Sequence, residues 1–158
     1  MTPKQYMAEM VLPTLEEYVA ETSSRRRAYL ACIVTYHMVD YLKAAGIKDP
    51  EADMRANCEA AWRLVKGVAN GSKHQQSTKQ RNQMPFLAGS DQYRPPAVVG
   101  ELECGFSELG DHEGSIMVPT DDDFLWEEVL RCLRTVVRHY KLIYGHQHFD
   151  ASTLHYVP

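Results

Sequence analysis

Four groups of residues have types and spacings that could do chemistry. Arg134 and His139 stand five positions apart near the C-terminal end. An arginine and a histidine can cut RNA without a metal. The imidazole moves a proton to or from the 2′-hydroxyl or the leaving oxygen, and the guanidinium stabilises the phosphoryl charge. The plainer reading of the same residues is a solvated basic stripe beside a half-buried histidine. Five residues on a regular helix separate two side chains by about 140°. On that wheel Arg131, Arg134, Arg138 and Lys141 share one stripe, and His139 lies at the edge of the apolar face.

His37 and Asp40 form the second group. They stand three apart in an apolar run, so a helix puts them on one face. A buried histidine and aspartate must be hydrogen-bonded, which predicts a structural pair that a tyrosine can close; the sharper alternative is an acid–base role or a small metal site that takes a further ligand, such as His74, from another helix. The third group is Asn70, Lys73 and His74 at a helix end, where they suit either capping or contact with a phosphate or base. The fourth is His146, His148, Asp150 and His155 in the tail. A His-x-His followed by a carboxylate can hold a metal, but a polar tail is the simpler reading. No metal and no cofactor is assigned.

The chain around these groups is ordinary for one globular domain: 158 residues, 44% hydrophobic and 24% charged. It has no P-loop, dinucleotide fingerprint, HExxH or GxSxG string. The opening residues carry Glu9, Glu16 and Glu17, so no secretory signal is read there. No apolar stretch is long enough to span a membrane, and a cytoplasmic location is expected. Cys32, Cys58, Cys104 and Cys132 include no CxxC pair and read as reduced core thiols. The net charge of −4 is unevenly spread: Pro95 to Leu130 holds ten acids and no Lys or Arg. A local basic face remains compatible with that balance.

The elements that must position these groups are mostly helices. Residues 4–22 read as helical, with Pro13 near a helix start and Ser23 or Ser24 as the cap of a second helix. That second helix, about 25–45, is apolar on nearly every side, which predicts a central buried helix or one that meets a second subunit. It stops at Gly46. Asp49 and Pro50 start a third helix, with Met54, Cys58, Ala61, Trp62 and Val65 at helical spacing. A polar loop is read at 72–96 and a small β-hairpin at 97–118, from strands at 97–104 and 114–118. The last helix is read from about Asp122 to Tyr144. The expected architecture is a single mostly α domain over 1–145, a bundle of about four long helices with an inserted hairpin, and a tail at 146–158.

Two strings give this order a family look: YHMVDYL on the apolar helix, and VANGSKH at the end of the third. The chain resembles a group of bacterial and phage-borne helical proteins whose third helix ends in Asn-x-x-Lys-His. More distantly it is similar to the HEPN superfamily. That resemblance implies a helical bundle, often a homodimer. It also implies RNA as substrate, cut without metal through an Arg-x4–6-His motif, in toxins or in defence against phage. Arg134 and His139 match the motif by letter, and Asn70 and His74 match its place at a helix end. Lys73, His74, Arg131, Arg138 and Lys141 are then the expected RNA contacts, lining a cleft across a dimer. The alternative is a non-catalytic interaction module that offers its acidic hairpin and polar loop to a protein partner.

Overall fold

The chain begins with three short helical pieces on one path: α1 (Pro3–Tyr6), a π turn (Met7–Val11) and α2 (Leu12–Ala20). The stretch read as helical over 4–22 is helical, and Pro13 stands in the first turn of α2, near a helix start as the sequence suggests; it has no amide proton and crowds the carbonyl four residues back. The ladder widens there, and the Leu12 amide reaches the Met7 carbonyl. Thr2 and Gln5 close a capping box at the start. The computed structural model describes residues 1–72, 88–96, 114–120 and 126–148.

Helix α3 (Arg25–Ala44) is capped by Ser24, whose Oγ accepts from the Arg27 amide. It ends as the sequence predicts. Gly46 takes φ +95, and the Gly46 and Ile47 amides bond the Lys43 and Leu42 carbonyls, the paired bonds of a Schellman ending. Its buried face is Ala28, Ala31, Cys32, Thr35, Met38, Val39 and Leu42. Leu30, Ile33, Val34 and Tyr41 are only half buried, so α3 is not enclosed on all sides as its composition suggests.

Helix α4 (Pro50–Gly71) starts where expected, with the Asp49 carboxylate accepting from the Ala52 amide. The sequence shows one uninterrupted helix here, but Cys58 leaves helical geometry at φ −146, ψ 45. The break is large. Lys66 reaches Glu51 at 2.8 Å, although fifteen residues of straight helix would hold them about 22 Å apart along the axis. The two halves of α4 therefore fold toward each other.

Three short strands form an antiparallel sheet in the order β1 (Gln92–Arg94), β2 (Ser115–Pro119), β3 (Trp126–Glu128). Of these, only β2 coincides with a strand that the sequence predicts. β1 falls inside the expected polar loop, and β3 occupies the expected start of the last helix. The strand read at 97–104 and the acidic segment between the strands lie outside the described residues. Helix α5 runs Val129–His148, past the Gly145 stop that the sequence suggests. Its Leu130 amide bonds the buried Ser115 Oγ of β2 at 3.4 Å, so a strand side chain satisfies a helix-start donor.

One core joins these pieces. Trp62, Tyr18, Tyr140, Leu15, Met38, Leu64, Leu130 and Leu133 are among its largest fully buried side chains. Trp62 meets Tyr140 edge-on at 6.5 Å and Tyr36 at 5.5 Å, which locks α3, α4 and α5 together. Among the described residues no helix is long and apolar enough to cross a membrane.

Candidate functional site

Helix α5 holds the first pair of sequence candidates and keeps them apart. It is regular through both, so Arg134 and His139 project about 140° from each other. His139 turns toward the first half of α4, its Nε2 3.3 Å from Asp53 Oδ2. The Tyr144 hydroxyl donates to the same oxygen at 2.8 Å, and Asn57 Nδ2 donates to Asp53 Oδ1 at 2.9 Å. One carboxylate thus gathers three side chains from two helices. Burial and the bond to Asp53 push the Tyr144 phenol well above its usual value. Cys58 lies at the helix break beside this group; burial and then the Asp53 charge raise its thiol to about 11, so it is a neutral thiol and not a nucleophile at neutral pH. Burial likewise raises Cys32 and Cys132; among the described residues Cys32 and Cys132 are buried free thiols and Cys58 a half-buried one, while Cys104 lies outside them.

The basic stripe is present but shorter than expected. Arg131 and Arg138 are exposed and Arg134 is half buried, and the three fall within an arc of about 60° on the helix. Arg131 pairs with Glu127 at 2.5 Å. Lys141 does not join them. It is 3% exposed, on the packed side of α5, and among the described residues its Nζ has no hydrogen-bond partner. Desolvation lowers its ammonium below the usual range. Lys141 therefore cannot serve as the solvent-facing RNA contact that the helical wheel predicts.

The second pair forms as the spacing predicts, with His37 Nδ1 2.9 Å from Asp40 Oδ2, but it is not buried. The side chains are 35% and 66% exposed, and both line an open pocket of about 450 Å³ with Met1, Tyr6, Tyr41 and Ala44. His37, Asp40, Tyr41 and Ala44 follow i, i+3, i+4, i+7 spacing and so share one stripe of α3; Met1 and Tyr6 complete the lining. The Tyr6 and Tyr41 rings stack at 3.9 Å and 17°. Tyr6 is held by its hydroxyl bond to the Val34 carbonyl at 3.1 Å, and burial first, then Tyr41 and Asp40, raises its phenol to about 12.

Asn70 stands at the end of α4 and contacts the Tyr36 hydroxyl of α3, so the helix end that carries it packs against the helix that carries His37. Lys73 and His74 lie outside the described residues, as do Asp150 and His155. Among the described residues no group of three or more His, Cys, Asp and Glu side chains is placed to hold a metal ion. Sequence reasoning does not find Asp53, Tyr144 or Tyr6. Each acts on a residue far away in the chain, beyond the reach of periodicity and local strings.

No family model, curated protein or solved structure matches the chain.

Proposed function

We propose that this protein binds RNA, with the arginine flank of α5 as the phosphate-contacting surface. The observation that carries this reading is the common arc of Arg131, Arg134 and Arg138 on one side of a regular helix. Phosphate contacts from such a ridge supply sequence-independent affinity. The resemblance carried by the strings YHMVDYL and VANGSKH agrees with the same reading. The geometry favours binding over cutting within one chain, because His139 points away from Arg134 and is engaged by Asp53. A metal-independent ribonuclease would need Arg134 of a second copy to approach His139.

Fluorescence anisotropy with a labelled single-stranded RNA tests this. Wild type should bind, and affinity should fall with salt by about 0.7 log units per log of salt for each phosphate contact. The triple variant Arg131→Ala, Arg134→Ala, Arg138→Ala should bind weakly, with a slope smaller by about 2. Absence of wild-type binding, or equal binding by the triple variant, overturns the proposal. RNA cleavage in excess EDTA that is lost in both Arg134→Ala and His139→Ala would replace binding with catalysis.

A second reading rests on Leu142 and Ile143, 64% and 50% exposed side by side on α5. A second copy would cover them, in keeping with the two-fold dimer expected from the resemblance. Sedimentation of Leu142→Glu beside wild type tests it, a shift from dimer to monomer being the supporting result.

A further inference from the structure

We propose that the pocket between α1 and α3 is a binding site for a guanine base. The occupant's being a nucleobase rests on the RNA reading above; the pocket's chemistry does not. Its volume of about 450 Å³ lies in the range that takes one small ligand. Its wall is aromatic on one side, where Tyr6 and Tyr41 already form a two-ring stack at 3.9 Å. A planar ring laid against that stack extends it, as bases do on aromatic side chains in proteins that hold single strands. Tyr6 spends its hydroxyl on the Val34 carbonyl, so the ring itself is fixed before any ligand arrives. Ala44, one turn beyond Asp40 and Tyr41, leaves room where a larger side chain would fill the space.

The polar element beside this wall is a carboxylate. Asp40 gives one oxygen to His37 Nδ1 at 2.9 Å, and its side chain is 66% exposed. His37 is thereby a positioning residue that holds the carboxylate in one rotamer. A carboxylate accepts only, so it selects a partner with adjacent donors. Guanine presents two neighbouring N–H donors, at N1 and the 2-amino group, on its pairing edge. Adenine and cytosine place an acceptor next to their amino group, and uracil flanks its single N–H with two carbonyls. Each of those edges would set lone pairs against Asp40. An arginine side chain carries the same paired donors as guanine and is the competitor to test.

Titration calorimetry on the full chain with guanosine, adenosine and cytidine monophosphates decides the matter, since all three share the phosphate. Guanosine monophosphate should bind at least about 10-fold tighter than the other two, the discrimination of one paired contact. Asp40→Asn should erase that preference. Tyr41→Leu should weaken all three by about 10-fold, the loss of one stacking contact, while circular dichroism shows the helices intact. Equal binding of the three nucleotides, no binding, or tighter binding of N-acetylarginine amide overturns the proposal. Should RNA binding by α5 hold while the guanine preference is missing, only the pocket assignment falls. Should the preference hold while RNA fails to bind, only the RNA reading falls.

Discussion

Glu51 faces three cations: Lys66 at 2.8 Å, Lys43 at 3.3 Å and Arg55 at 3.9 Å. Burial pushes its carboxyl up, but the hydrogen bonds and charges of Lys66 and Lys43 overcome that and hold it below its ordinary 4.5. A folded-state value below the unfolded one means that the stabilisation is complete above pH 4.5 and is lost as pH falls through the folded value. Glu51→Gln should therefore cost about 1–2 kcal/mol at pH 7, and the gap between the two proteins should shrink in urea melts at pH 3. Lys141 behaves oppositely. Its amine is depressed by desolvation, so as pH rises toward 10.5 the folded state sheds its proton before the unfolded state does, and stability rises. Lys141→Met should be more stable than wild type at pH 7, by about 1–3 kcal/mol, and should lack the alkaline rise in melting temperature. At this scale the sequence is legible where partners are local. His37 and Asp40 are three apart on one helix, and they do bond. Asp53 is 86 positions from His139, and no spacing rule reaches that far. Lys141 escapes a helical wheel because the wheel fixes a direction on α5 but not the elements that pack there.

At the scale of elements, helix ends are the most readable features, because caps are written in the residues beside them. Ser24, Gly46 and Asp49 all act where the sequence puts them. Gly46 supplies a clean test: a Cβ there would meet nothing within 4 Å, and only its φ of +95 stands against a side chain. Gly46→Ala should lower stability by about 1 kcal/mol through conformation alone, seen as a lower urea midpoint with an unchanged slope. The break at Cys58 is invisible in the sequence because no proline or glycine marks it. The tertiary pull of Glu51 toward Lys66, and of Asp53 toward α5, overrides local helical preference there. Strands β1 and β3 are hidden for a related reason. Each has three residues, too few for alternation to show, and each exists only by pairing with β2.

For the whole molecule, the sheet is tied to the helices through Tyr18. Its hydroxyl meets Ser115 Oγ and accepts from the Ile116 amide, both at 3.1 Å, and Ser115 in turn receives the Leu130 amide. A second tie runs from the start of α3, where Arg25 and Tyr29 bond the buried Asp91 at 2.6 and 2.5 Å. Tyr18→Phe removes one oxygen from the centre of the first network and strands a buried amide. It should cost about 1–3 kcal/mol, measured by thermal melting, with sheet and helices still lost in one transition.

The folded-back course of α4 has a consequence for how this chain tolerates insertions. Each residue added to a regular helix turns everything beyond it by about 100°. One extra residue after Leu64 would swing Val65 and Val68 out of the core and carry Asn70 off Tyr36. One extra residue at Cys58 falls where the ladder is already interrupted, so each half keeps its own phase. Length variation in this helix should therefore be survivable at that single seam, which divides α4 into a segment that brings Asp53 to α5 and a segment that brings Trp62 into the core and Asn70 to Tyr36.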